Sequence, residues 1–264
     1  MIGAHPFAFM GRSLIQAGGG FVPPLDSYTT NIWAAWSTRQ LLTSWTGNVI
    51  RVRRSSDSTE QDIGTVDGLL DESSLTSFVG AGTGRIVTYY DQTGNGRNYS
   101  LYAGSGPQIV ISGTVQYLSG IACPYYDDTR CTMKVTSAPT AKVSFLSMST
   151  SDSLGVLYSE QSGGSSYAGA WTNGSTSSCF SSYTGTIYVD GSSSSTNRDT
   201  LHDALAIGSP VIVRADTNGT NTGTSYLGYP DAGTYAYTGY ALDIVVYTST
   251  SEAADIEAAL GAAL

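Results

Sequence analysis

Two short β-branched segments carrying alternate arginines, with a glycine-bounded helical pattern between them, constrain this chain more than any other feature. The first is Val49-Ile50-Arg51-Val52-Arg53-Arg54 and the second is Ile86-Val87-Thr88-Tyr89-Tyr90. Such side chains fit a pleated, half-buried surface, so residues 49–52 and 86–90 are read as strands. Between them, residues 71–79 follow helical spacing, with Ser73 or Ser74 as the cap and Gly80 as the left-handed stop. After the second strand, Gln92-Thr93-Gly94-Asn95-Gly96 supplies the reversal of the chain.

Charge gathers in the same block. Arg39, Arg51, Arg53, Arg54, Arg85 and Arg97 are six of the twelve basic residues, and Asp57, Glu60, Asp62 and Asp91 lie among them. Arginines alternating along a strand beside acidic turns can close bidentate pairs. The competing reading is a basic patch for an anionic ligand. With carboxylates nearly equal in number, internal pairing is expected.

Four motifs stand in order: Ser37-Thr38-Arg39, then Val52-Arg53-Arg54-Ser55-Ser56-Asp57, then Gln61-Asp62-Ile63-Gly64, then Tyr90-Asp91-Gln92-Thr93-Gly94-Asn95-Gly96. In this order they resemble the opening half of the catalytic domain of B-type α-L-arabinofuranosidases, a concanavalin-A-like β-sandwich. They resemble more closely a sandwich domain common in tailed-phage virion proteins. The resemblance covers about residues 30–100 and returns at the C-terminus. It implies a fold more firmly than an activity, since sandwiches host many functions.

Composition agrees with an all-β chain of 264 residues read as one sandwich: 18 tyrosines and 31 glycines favour strands and tight turns. Charged residues make up only 12%, against about a quarter in an average domain. A surface of Ser, Thr, Asn, Gly and Tyr suits extracellular and virion β-proteins and also sugar binding. The net charge of −9, with lysine only at Lys134 and Lys142, argues against a nucleic-acid partner. No apolar run approaches the roughly twenty residues of a membrane span. The first residues lack a basic n-region, so no secretory signal is read. Three cysteines, Cys123, Cys131 and Cys179, are read as buried thiols, although Cys123 and Cys131 can pair across a hairpin.

Residues 1–28 are set apart as an irregular arm. Ile2, Phe7, Phe9, Met10, Phe21 and Val22 are its apolar anchors, and Gly18-Gly19-Gly20 with Pro23-Pro24 separates it from the domain at 29–264. Docking on a neighbouring subunit is one reading, and a strand tucked along the sandwich edge is the other. A helix is predicted over about 31–43, capped by Thr29 or Thr30 and stopped at Gly47. Trp33, Trp36, Leu41 and Trp45 form its core face rather than a sugar platform. Further strands are expected at 108–111, 142–148, 155–158, 186–189, 211–215 and 242–247, with a hairpin turn at Asp190-Gly191. Ser249-Thr250-Ser251-Glu252 has the form of a capping box. It opens a C-terminal helix whose Ile256, Leu260 and Leu264 face the outside of the sheet.

A glycosidase needs two carboxyl groups on opposite sides of a sugar ring. The arabinofuranosidase resemblance implies a glutamate after the central strands and an aspartate in a late turn. Asp231, in Leu227-Gly228-Tyr229-Pro230-Asp231, falls where the family's acid sits. Glu160, the one glutamate between Glu72 and Glu252, is its only candidate partner. The family's adjacent cysteine pair is absent. His5 and His202 are isolated, so no zinc site is read. Asp216-Thr217-Asn218-Gly219-Thr220-Asn221 lacks the closing glutamate of a calcium loop and is read as a turn. No metal and no cofactor is expected.

The sequence therefore reads as a concanavalin-A-like jelly-roll sandwich with a short N-terminal helix, a C-terminal helix and an irregular N-terminal arm. The expected role is structural and non-enzymatic: a homo-oligomeric protein on a tailed-phage virion surface, as head decoration or tail-fibre adhesin. It would be made in the host cytoplasm and anchored to other virion proteins by its arm, with weak, lectin-like glycan contacts at unassigned residues and no membrane insertion. The alternative is a retaining glycoside hydrolase of α-L-arabinofuranosidase type using Glu160 and Asp231.

Overall fold

The computed structural model describes residues 20–127, 131–135, 143–150, 154–161, 165–172, 178, 185–205, 208–217, 224–227 and 237–264, with only the backbone course given for 154–161 and 165–172. The anchors Ile2, Phe7, Phe9 and Met10 and the carboxylate Asp231 lie outside these residues.

The strands fall into two antiparallel series. One runs, neighbour by neighbour, through Glu60–Ile63, Ile50–Arg54, Gly84–Tyr89, Tyr99–Gly104, Cys131–Val135, Thr224–Leu227, Leu154–Gln161 and Ser165–Thr172. The other runs through Ser192–Ser194, Gly185–Val189, Val211–Thr217, Val143–Thr150 and Thr238–Tyr247. Ile32–Ser37 and Tyr125–Asp127 share the far edge of that last strand. Gln108–Ile111 joins the two series, pairing with Gly84–Tyr89 and, through Gln108, with Tyr125. Val52, Tyr89, Met133 and Leu227 from the first series meet Trp36, Leu146, Val213 and Ile244 from the second in one core. The two series are thus the facing layers of an all-β sandwich.

Alternation along the second layer makes a second, outer core. Phe145, Ile212, Val245 and Tyr247 point away from the first core and are covered by Ala253, Ile256 and Leu260 of the helix Ala253–Ala262. The C-terminal helix thus lies on the outside of the sheet. Its capping box does not form: Ser249 Oγ accepts from the Ser251 backbone N–H, and Glu252, the N-cap, makes no side-chain cap bond. Burial of Ile256 and Leu260 holds the helix in place.

The predicted N-terminal helix is corrected to a strand, Ile32–Ser37, hydrogen-bonded to Thr238–Tyr247. Both of its faces are buried, Trp36 in the inner core and Ala35 in the outer one, and such a continuous apolar run carries no strand alternation to read. A β-bulge between Ile32 and Ala34 lets Trp33 and Trp36, three residues apart, both enter the inner core, with their rings edge to face at 6.0 Å.

Around the constraining block the expected elements form. The strands are Ile50–Arg54 and Gly84–Tyr89, and the helix is Glu72–Val79. Its cap is Asp71 rather than Ser73 or Ser74. The Asp71 carboxylate accepts the Ser74 backbone N–H at 3.0 Å and the Ser74 hydroxyl at 2.6 Å. The arginines pair internally. Arg51 faces Asp62 and Arg53 faces Glu60 across the same ladder, and Arg54 meets Asp57. Arg85 reaches Asp127, and Arg39 is buried against Asp243. Arg97 lies over the Trp33 ring at 4.7 Å and donates to the Trp33 carbonyl.

Asp91 and Gln92 make the loop after Gly84–Tyr89 a structural staple. The buried Asp91 carboxylate accepts backbone N–H bonds from Ala35, Thr93 and Arg97. Gln92 accepts the Leu41 N–H at 2.7 Å and donates to the Arg39 carbonyl at 2.8 Å. Leu25 is fully buried and its N–H donates to the Leu41 carbonyl, so the chain is already seated in the domain at that residue. Phe21 rests on Gly68 of the same chain, while Val22 is exposed.

Candidate functional site

Glu160 lies in the strand Leu154–Gln161, where backbone register sets it opposite Ser166 on one side and Ser225 on the other. The strand Thr224–Leu227 ends at Leu227, opposite Tyr158 and two residues along from Glu160. Residues 228–236, which include Asp231, continue directly from that end. Asp231 itself lies outside the described residues, so its place relative to Glu160 is not part of this geometry.

In the strand beside it Ser225 and Leu227 are buried and Tyr226 is half-buried. Ser225 is fully buried and shares a short hydrogen bond with the Tyr99 hydroxyl. The Tyr99 ring packs against Trp36 at 4.4 Å, and Trp36 Nε1 donates to the Arg97 carbonyl at 2.8 Å. Tyr99 stands three strands from Glu160, so these contacts tie the flanking strand Thr224–Leu227 into the core.

A second feature sits at the opposite edge of the same layer. A cleft of about 580 Å³ opens between residues 40–48 and the segment from Gln61 to Ser74. Trp45, Asn48, Gln61, Asp62, Asp67 and Asp71 supply its chemistry, and no lysine or arginine lines it. Its walls are tied together: the Gln40 N–H donates to the Gly68 carbonyl at 2.8 Å, Gln40 Nε2 to the Trp45 carbonyl at 2.7 Å, and the Asp71 N–H to the Gly64 carbonyl at 3.0 Å. Asp67-Gly68, both at positive φ, turn the hairpin that forms one rim.

Protonation states limit what this cleft can do. Hydrogen bonds from Arg51, and then from Tyr90, hold the Asp62 carboxyl below the usual carboxylate range. The Ser74 hydroxyl and N–H do the same for Asp71. A glycosidase acid needs the opposite shift. Neither Asp62 nor Asp71 is therefore tuned to act as such an acid. Among the described residues no cluster of three metal-ligating side chains occurs.

Residues 25–120 match the family model for the catalytic domain of α-L-arabinofuranosidase B. A search of curated proteins found no match. Among solved structures the chain resembles an arabinofuranosidase complexed with arabinofuranosyl-α-1,2-xylobiose, with 16% identity and a TM-score of 0.57. It resembles equally a GH54 α-L-arabinofuranosidase soaked with a cyclic sulfate inhibitor, at a TM-score of 0.57. At 0.56 follows a glutamate-to-glutamine mutant of a GH54 α-L-arabinofuranosidase soaked with 4-nitrophenyl α-L-arabinofuranoside. Each likeness covers 92% of this chain and 65% of the other. At this identity the likeness is one of fold.

These findings correct the reading of a non-enzymatic virion protein. The block taken to mark a phage head decoration, tail fibre or adhesin matches a glycosidase catalytic-domain model instead. The physical reason lies in what those motifs do. Arg39, Arg51–Asp62 and the Asp91–Gln92 loop hold the sandwich together, so they accompany the fold into any function and do not discriminate between functions. The cleft around Trp45 was not foreseen because Trp45 was assigned to a helix face. The useful signal was Gly47: a Cβ there would stand 2.7 Å from Trp45 Cζ2, so the glycine lets the indole lie flat on the turn.

Proposed function

We propose that this domain is a glycoside hydrolase of the α-L-arabinofuranosidase type. The observation that carries the reading is the match of residues 25–120 to the catalytic-domain model. The chain order of Glu160 and Asp231 supports it.

In this reading the reaction is a retaining double displacement. Glu160 attacks the anomeric carbon while Asp231 protonates the departing glycosidic oxygen. Asp231 then takes a proton from water as that water displaces Glu160. Such a pair stands about 5–5.5 Å apart, against about 6.5–9.5 Å for inversion. The buried Tyr99–Ser225 contact and the Trp36 stack give the Glu160 strand a rigid backing.

The test is turnover of 4-nitrophenyl α-L-arabinofuranoside by the purified chain, by Glu160→Gln and by Asp231→Asn. Native turnover with losses of about 10²–10⁴ or more in the variants is expected. A native protein that releases no nitrophenol, or a Glu160→Gln variant as active as the native one, overturns the reading.

A further inference from the structure

The cleft at the Glu60–Ile63 edge of the first layer is a site distinct from the Glu160 strand. Six strand steps separate the two, roughly 25–30 Å at the usual inter-strand spacing. We propose that it binds a neutral polysaccharide segment, with Trp45 as the stacking surface and Asn48, Gln61 and Asp67 as hydrogen-bonding groups.

Four observations argue for this ligand class. The volume of about 580 Å³ lies within the range of small-molecule sites. Its lining is polar and hydrogen-bonding, which suits a polyhydroxylated ligand better than an apolar one. No lysine or arginine lines it; Asp62 is already paired with Arg51, and the remaining carboxylates Asp67 and Asp71 disfavour phosphate, sulfate and uronate groups. Among the described residues no three His, Cys, Asp or Glu side chains gather in one cluster, so the cleft offers hydrogen-bonding groups rather than a preformed set of metal ligands.

The site is also organised in advance. Trp45 Nε1 donates to the Asn48 carbonyl at 3.2 Å, and the indole lies against Gly47, so the half-buried ring is fixed before any ligand arrives. A ring held this way offers apolar area at little entropic cost. Gly64 leaves Asn48 Oδ1 its room, since a Cβ there would come within 3.3 Å of it. Asn48, Gln61 and Asp67 are exposed, so they can meet ring hydroxyls directly.

Using arabinoxylan as the probe rests on the arabinofuranosidase reading, whereas the cleft's preference for neutral saccharide does not. Affinity electrophoresis of the chain through gels containing arabinoxylan, neutral β-glucan or polygalacturonate tests the site. Retardation on at least one neutral polymer and none on polygalacturonate is expected. At least a tenfold weakening is expected in Trp45→Ala. Because Trp45 also touches the core, Gln61→Ala with Asn48→Ala, both at exposed positions, serves as the second variant and should weaken retardation several-fold. Turnover of 4-nitrophenyl α-L-arabinofuranoside should be unchanged in all of these. Retardation on no neutral polymer, equal retardation on polygalacturonate, or full retardation in folded variants overturns the cleft. Trp45-dependent retardation without nitrophenyl turnover leaves the cleft standing and removes only the catalytic reading.

Discussion

Arg39 and Asp243 form a fully buried ion pair across 204 residues of sequence: Nε meets Oδ1 at 3.1 Å and Nη2 meets Oδ2 at 2.6 Å. Ser37 and Ser147 donate their hydroxyls to the same carboxylate at 2.8 and 2.7 Å. Arg39 Nη1 donates to the Ala263 carbonyl. One carboxylate thus joins the end of Ile32–Ser37 to the middle of Val143–Thr150 and, through its partner, to the end of the C-terminal helix. The polar atoms at this junction come from segments far apart in the chain.

Removing one member leaves a buried charge without a counter-ion. Asp243→Asn or Arg39→Met is therefore expected to lower unfolding free energy by about 3–5 kcal/mol. The double variant Arg39→Met with Asp243→Leu should recover some of that loss, since the charge penalty disappears with the pair. Urea unfolding midpoints of the four proteins check this. A double variant that is worse than the sum of the singles refutes the charge argument.

Two glycines separate backbone clash from turn strain. Gly239 has a φ of 147°, and a Cβ on it would stand 2.1 Å from the Ser149 carbonyl oxygen and 2.9 Å from Thr150 Cα. Gly191, at φ 77° in the Asp190-Gly191 hairpin, has open space around it. Gly191→Ala should cost about 1 kcal/mol, the usual penalty for a left-handed alanine. Gly239→Ala must push the strands Val143–Thr150 and Thr238–Tyr247 apart, and should cost several times more or prevent folding. Equal midpoints for the two variants would contradict this register.

The Arg51–Asp62–Tyr90 cluster carries a pH signature with two signs. Asp62 has its folded pKa depressed, chiefly by the Arg51 hydrogen bond. Its contribution is present above the unfolded value of about 3.9 and is lost as pH falls through the lower folded value. Burial, then the Asp62 hydrogen bond, pushes the Tyr90 hydroxyl up to about 12. That contribution is complete below the unfolded value of about 10 and is lost as pH rises through about 12. Asp62→Asn should flatten the acid limb and only lessen the alkaline one, since the burial of Tyr90 remains. An unchanged acid limb would show that Arg51 does not stabilise the ionised carboxylate.

Legibility of this fold from sequence followed how each residue is used. Gln108–Ile111 is expected at its observed bounds because Pro107 and the Ser112-Gly113 turn punctuate it. Ile32–Ser37 reads wrongly as a helix because it is buried on both faces, and the helix cap is misplaced because Asp71 stands one residue outside the helix that it caps. The arginine partners in the adjacent strand are legible as near neighbours, whereas Asp243 is not. The Glu160 candidate comes from its order along the chain. The Trp45 cleft is made by two segments brought together by the Gln40–Gly68 and Asp71–Gly64 backbone bonds, which no local pattern encodes.

The two described cysteines make the core's tightness measurable. Cys123 and Cys131 are free and buried. Burial raises the Cys123 thiol well above its ordinary range and pushes Cys131 up to about 12. At pH 8 the thiolate fraction of Cys131 in the folded state is then about 10⁻⁴, and the attacking species is scarce as well as shielded. Labelling by iodoacetamide should therefore proceed only through unfolding, because the unfolded thiol returns to a pKa of about 8.5. Peptide mass spectrometry of the native protein should find both residues unmodified on a timescale that labels them fully in urea. In Asp243→Asn, where unfolding is easier, both should label faster by the factor that separates the two unfolding constants. Rapid labelling of either residue in the native protein would mean that the layer around Tyr89, Tyr126 and Tyr237 opens without global unfolding, contrary to the close packing seen there.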